Sequence, residues 1–384
     1  MVVRNAGRVT GSESHPAVQA LGSFSDWLPM ARAGGLWKRD DDFPLRAAEV
    51  LRAVGVAPKP RDARVLARWT RDGVDGELVS WAHDWGPRTE AFVLRPAGHT
   101  GRLPGVLALH SHGGVKFVGK EMVADGARGR HPAAEEGQTK VYGGRAFGNE
   151  LARRGYVVLA HDGFSWGSRG FTLDAMGSPP GSPGETVAGQ ARHYDQVSRA
   201  HELVLEKLCT VLGTSMAAQV LRDDRTAASY LLGRDDVASA PPAAVGLSGG
   251  GCRAAMLAAT TDLSACVIVG MMSTYAELLD RHVADHTWMF FPPGLAQIGD
   301  WPDVASARAP SPRLIQYCHD DHLFPIQGMR AADGKIQAQY DHVGKPEAYR
   351  AEWYPGPHRF DRVMQISEFQ WLAQVLPAPP HPQE

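Results

Sequence analysis

The chain has 384 residues, 43% hydrophobic and 21% charged, with 40 Lys and Arg against 42 Asp and Glu for a formal net charge of −2. That is an ordinary globular composition, able to bury a large core. Its basic residues are scattered, which argues against nucleic acid or an anionic membrane as partner. Four cysteines (Cys209, Cys252, Cys266, Cys318) stand far apart with no C-x-x-C pair, as buried thiols in a reducing compartment do. The opening MVVRNAGRVTGSESHP lacks an apolar signal core and no run reaches bilayer-spanning length, so a cytoplasmic location is expected.

Residues 1–60 carry helical apolar spacing at Val18, Leu21 and from Ala47 to Val54, broken by Gly34-Gly35 and the charged turn from Lys38 to Asp42. They read as an N-terminal helical extension packed on the main body, a candidate for a homodimer contact or for the rim of a pocket. From Ala63 the period becomes two: ARVLARWT, GELVSWAH and TEAFVLRP predict three strands, the last two joined by a turn from Asp84 to Pro87. Short apolar strands follow at GVLALHSHGG (from Gly105) and GYVVLA (Gly155–Ala160), the second ending in His161-Asp162. Helices are expected over 146–154, 190–212 and 215–232.

The next apolar run, Ala243 to Val245, enters Gly246-Leu247-Ser248-Gly249-Gly250 and then an alanine-rich helical pattern. A strand turning abruptly into a helix holds a serine on a strained bend, with the first helical amides beside it to receive an oxyanion. Strands at ACVIVG (Ala265–Gly270), RLIQYC (Arg313–Cys318) and YRAEWY (Tyr349–Tyr354) complete the pattern, with a last helix over 363–375. Alternating strands and helices predict a mostly parallel α/β sheet covered on both faces, with the early hairpin as an antiparallel edge. The main body is read as 61–376 and the proline-rich 377–384 as a tail. Two long irregular stretches, 115–144 and 163–189, leave the carboxyl ends of strands, where α/β sheets bind ligands, and are expected to build the walls or cap of the pocket.

A serine nucleophile needs a base within reach, itself oriented by an acid. RLIQYC runs into His319-Asp320-Asp321-His322, and YRAEWY into Pro355-Gly356-Pro357-His358. The order serine turn, acidic loop, histidine loop is the one an α/β hydrolase requires.

With these residues in view, the sequence resembles the α/β-hydrolase superfamily, and within it bacterial esterases of the dienelactone-hydrolase and acetyl-xylan-esterase type. The resemblance rests on HSHGG (110–114), GYVVLAHD (155–162), GLSGG (246–250), DDHLFP (320–325) and GPHRF (356–360), and covers the chain from about Leu103 to the final helix. It implies hydrolysis of a small ester without a cofactor, with Ser248 as nucleophile and His358 as general base. Asp321 is implied as the acid, with Asp320 in reserve, because Cys318-His319 departs from the usual glycine there. The amides of Gly249 and of Gly114 or Gly113 are implied as oxyanion donors.

Rival readings share the cleft. His110 and His112, two apart on a predicted strand, could serve a metal-dependent hydrolase. An amidase or C–C bond hydrolase would use the same triad, and a non-catalytic binding protein could keep the fold without the chemistry. His112, Trp166 and Arg169 are candidates for substrate contact, the last two competing with a packed aromatic and a surface salt bridge.

Overall fold

The computed structural model describes residues 19–179, 186–279 and 282–376; Val18, the 377–384 tail and part of the second long loop lie outside these. Nine strands form one sheet: β1 (Arg61–Arg71), β2 (Val74–Ala82), β3 (Thr89–Pro96), β4 (Gly105–Leu109), β5 (Val157–His161), β6 (Ala243–Leu247), β7 (Ala265–Val269), β8 (Arg313–Cys318) and β9 (Tyr349–Tyr354). Their spatial order is β1-β2-β3-β5-β4-β6-β7-β8-β9. β1, β2, β3 and β5 pair antiparallel, and every pairing from β5 across to β9 is parallel.

The strand sequences explain their places. β4, β6, β7 and β8 are buried at every residue, as strands covered on both faces must be, so β4, β6 and β7 run apolar without alternation, and β8 carries Arg313 and Gln316 buried among its apolar residues. β1 is exposed almost throughout and closes the sheet as an edge. Two apolar clusters fill the two faces. One contains Trp81, Met256, Trp301 and Tyr340, the other Tyr142, Phe147, Phe360 and Trp371.

Because the chain leaves β4 for β5 on one side and reaches β6 on the other, the strand order reverses between β4 and β6. The crevice at the carboxyl ends of those two strands is where an open α/β sheet accepts a ligand. It lies between the 110–114 segment and the Ser248 turn.

The N-terminal segment is helical at Trp27–Ala33 and Phe43–Val50. It docks through the Trp37 amide on the Ala296 carbonyl and the Asp40 amide on the Ile298 carbonyl, with Phe43 fully buried. Burying one such ring contributes about 1.5–3 kcal/mol. The stretch 115–144 is more ordered than its composition suggests. It contains the helix Glu135–Val141, and Val118, Met122, Val123 and Ala124 are core residues, so this part packs into the sheet face instead of standing over it as a lid. Among the described residues no single helix is long and apolar enough to cross a membrane.

Candidate active site

Ser248 stands between the end of β6 and the helix Gly249–Thr260, with φ 58° and ψ −119°. A side-chain-bearing residue in that region stores about 1–3 kcal/mol of backbone strain. The turn survives because its neighbours are glycines: a β carbon at Gly246 would lie 2.3 Å from the Gly250 carbonyl, and one at Gly250 would lie 2.2 Å from the Leu109 oxygen. Hydrogen bonds fix both sides of the serine. Its amide donates to the Val269 carbonyl at 2.8 Å, and its carbonyl accepts the Cys252 amide at 2.9 Å.

His358 arrives from the loop after β9. Its ring rests on Gly270, where a β carbon would stand 3.3 Å from Nδ1 and Cε1. Gly270 directly follows the Val269 that holds the serine amide, so the imidazole and the serine turn share the exit of β7. His358 Nδ1 lies 2.6 Å from Asp321 Oδ2, while Asp321 Oδ1 accepts the Leu323 amide at 2.9 Å. Asp321 has a buried side chain; Asp320 is exposed and never meets His358. Instead Asp320 accepts the Gly356 amide at 2.8 Å and pairs with His319, tying the acidic loop to the histidine loop. Asp361 then caps the final helix, Arg362–Val375, through the Val363 and Met364 amides, an interaction typically worth about 1 kcal/mol that holds the far end of the loop.

The segment after β4 corrects one expected donor. The Gly114 amide is already spent, donating to His112 Nδ1 at 3.1 Å. The amide facing the serine turn belongs to His112: a β carbon at Gly249 would lie 2.5 Å from the His112 nitrogen. Among the described residues the amides of His112, Gly249 and the other expected donor, Gly113, have no protein acceptor, and Gly249 opens its helix, where none is provided. The Ser111 amide donates to the Tyr142 hydroxyl at 3.2 Å, and the Val115 amide to the His112 carbonyl at 3.0 Å, so the segment is held on both sides of His112.

Other candidates are occupied elsewhere. β4 stops at Leu109, so His110 and His112 do not project together from a strand. His110 Nδ1 sits 3.0 Å from the Ser111 carbonyl and its Nε2 accepts the Gly163 amide, whereas His112 Nε2 meets Glu202 at 3.0 Å. Trp166 is wedged against both imidazoles and donates to the Val115 carbonyl at 2.7 Å; at 1% exposure it packs and does not line a cleft. Arg169 is likewise buried, its Nε 2.9 Å from Asp223, so it is neither a substrate contact nor a surface salt bridge. The four cysteines are buried and unpaired by disulfides.

Two groups escaped the sequence reading. Arg253, from the helix behind Ser248, is clamped on Asp224 by contacts at 3.1 Å (Nε) and 2.6 Å (Nη2), with His161 on the same carboxylate at 2.9 Å. Burial works against the Asp224 charge, but Arg253 and His161 outweigh it and bring the carboxyl down to about 2. Glu202, in the helix Val187–Val211, accepts from His112 Nε2 and from Lys116 Nζ at 2.6 Å on one oxygen. Its other oxygen accepts from the Thr287 hydroxyl and from the Trp288 amide at 3.0 Å. Burial again opposes ionisation, yet His112 and Lys116 hold the Glu202 carboxyl well below the usual range. A Glu in the middle of a long polar helix looks like a solvated charge. The faint signal was Asp195 seven residues earlier on the same face, which accepts the Lys116 and Phe117 amides.

A surface cleft of about 760 Å³ lies at the β1–β2 edge, lined by Arg68, Glu77, Tyr230, Arg234 and Asp236 among others. Arg68 and Arg234 there are paired with Glu77 and Asp236, and the Ser229 hydroxyl donates to the Arg225 carbonyl.

No protein-family model matches the chain. Over 291 residues, 75% of the chain and 84% of the relative, it is 26% identical to "Putative hydrolase YtaP" of Bacillus subtilis (strain 168). A solved glucuronoyl esterase from Solibacter usitatus superposes with a TM-score of 0.58 at 13% identity, covering 96% of this chain and 99% of that one. An acetyl xylan esterase from Paenibacillus sp. R4 gives 0.54 at 16% identity, covering 88% and 96%. At such identities the likeness is one of fold, an α/β fold shared with these esterases.

Proposed function

We propose that the protein hydrolyses a carboxylic ester through an acyl-enzyme formed on Ser248. The observation that carries this reading is the His358–Asp321 contact at 2.6 Å, set beside a strained serine turn at the point where the strand order reverses. With Nδ1 engaged by Asp321, the His358 Nε2 is the nitrogen left for the serine. It takes the hydroxyl proton as Oγ attacks the ester carbonyl, and passes that proton to the departing alcohol when the C–O bond breaks. The tetrahedral oxyanion is received by the amides of Gly249 and His112. Removing one such donor typically costs about 3 kcal/mol of transition-state stabilisation. Water then attacks the acyl group, with His358 again as base, and releases the acid.

The esterase activities named for the structural neighbours support an ester over an amide. The enzyme is assigned as a small-molecule hydrolase of the cytoplasm. None of the steps draws on a cofactor. The test is fluorophosphonate labelling with peptide mapping, run beside esters of increasing acyl length. One adduct is expected, on Ser248, with loss of turnover in proportion to labelling. Full turnover in a protein that takes up no label would overturn the reading.

A further inference from the structure

The His112 imidazole accepts the Gly114 amide on Nδ1, so its proton sits on Nε2, and Nε2 faces Glu202. Glu202 is 5% exposed and has every lone-pair direction occupied, by His112 and Lys116 on one oxygen and by Thr287 and Trp288 on the other. We propose that Glu202 is a positioning residue for the oxyanion hole, acting through the side chain of His112 on that residue's own main-chain amide. The proposal rests on the function proposed above and adds a second histidine–carboxylate pair to the site.

The physical chain is short. A carboxylate at Nε2 favours the tautomer whose Nδ1 carries a lone pair. That lone pair takes up the Gly114 amide and closes the turn from His112 to Gly114, both glycines of which have positive φ. With the turn closed, the His112 amide is the donor left facing Gly249. Were the proton on Nδ1 instead, that nitrogen would meet the Gly114 amide donor to donor and the turn would open. The other oxygen of Glu202 extends the same control to the far wall. Thr287 and Trp288 begin the short helix Trp288–Phe290, Phe290 packs against Phe324 at 5.8 Å, and Phe324 stacks on His358 at 6.3 Å. One buried carboxylate thus joins the segment after β4 to the surroundings of the general base.

The test compares Glu202→Leu, Glu202→Gln and Lys116→Met with the wild-type enzyme. It reads kcat and KM on one ester, inhibition by an alkyl boronic acid (which binds as a tetrahedral adduct) and thermal stability. Glu202→Leu is expected to lower kcat by roughly tenfold to a hundredfold, weaken the boronate in parallel and leave KM within about twofold, the signature of an interaction made only in the transition state. Glu202→Gln, whose oxygen can still accept from His112, should recover most of the loss. Lys116→Met, which leaves the His112 contact in place, should keep kcat within about threefold.

Unchanged kcat in a folded Glu202→Leu protein would overturn the proposal, as would a rise in KM alone or an equal kcat loss in Lys116→Met. If the leucine variant does not fold, the tautomer of His112 decides: imidazole 15N shifts of the wild-type protein with the proton on Nε2 support the idea, and a proton on Nδ1 sinks it. Ser248→Ala separates the two readings. If it retains turnover the serine mechanism fails; if it is inactive while Glu202→Leu is fully active, only the positioning role fails.

Discussion

Asp321 divides its carboxylate between the His358 imidazole and the backbone, with Oδ2 2.6 Å from His358 Nδ1 and Oδ1 accepting the Leu323 amide at 2.9 Å. The second contact stops the carboxylate from rotating and so orients the imidazole. Asp320, its chain neighbour, is turned outward onto Gly356 and His319.

A paired substitution separates these roles. Asp321→Asn should lower kcat by about 10³–10⁴ at neutral pH, because an amide facing Nδ1 favours the wrong tautomer. Asp320→Asn should remain within about fivefold of wild type, since its oxygen can still accept the Gly356 amide. Steady-state kinetics on one ester decide the matter, and equal losses from both would show that the exposed aspartate also serves the imidazole.

Strain at Ser248 gives a stability prediction independent of turnover. Ser248 holds φ 58° and ψ −119°, a conformation glycine adopts freely and other residues do not. Both Ser248→Ala and Ser248→Gly should be inactive, but the glycine protein should be the more stable by about 1–2 kcal/mol, against the usual unfavourable entropy of glycine. Urea denaturation of the two measures the difference. An alanine protein as stable as the glycine one would mean that the turn is unstrained.

Much of this arrangement was legible in the sequence because it is local. The apolar runs of β4, β6 and β7, the glycines around Ser248, and the aspartates and histidine placed just after strands all announce themselves within a few residues. What was hidden depends on partners far along the chain. Gly114 was a reasonable donor until the imidazole of His112 was seen to claim its amide, and that imidazole is oriented by Glu202, ninety positions away. Arg169 read as a surface cation because nothing nearby in sequence reveals Asp223 buried beside it. The helix in 115–144 was masked by glycines on either side of it and one within. Choosing between Asp320 and Asp321 needed the direction of a turn, which adjacent identical residues cannot report.

Gly249→Ala tests the proposed oxyanion hole. Alanine is the better helix former by about 1 kcal/mol, so the helix itself should not suffer. Its β carbon, however, would stand 2.5 Å from the His112 nitrogen and 2.7 Å from the His112 β carbon, which forces the two donors apart. The expected result is a kcat reduced about a hundredfold with little change in KM. Undiminished kcat would remove the His112 amide from the site.

The pH dependence of stability should carry the mark of His286. This imidazole lies between Phe290 and Phe324, with centroids 4.8 and 4.7 Å away, and Nε2 is 3.1 Å from the Leu323 carbonyl. Burial brings it down to about 4 from an ordinary 6.5. Its folded value therefore lies below its unfolded one, so between the two the unfolded chain binds the proton and the native chain does not. The stability it contributes is complete above about pH 6.5 and is lost as the pH falls toward 4, on the order of 3 kcal/mol in all. His286→Gln keeps a donor for the Leu323 carbonyl and has no titration of its own. Between about pH 7.5 and about pH 4.5 the wild-type protein should thus lose some 2–3 kcal/mol more than the variant in denaturant titrations. Because Leu323 also donates its amide to Asp321, turnover should fall over the same interval in the wild type and less steeply in the variant. Parallel stability curves for the two proteins would show that this imidazole is protonated equally well in the folded and unfolded states.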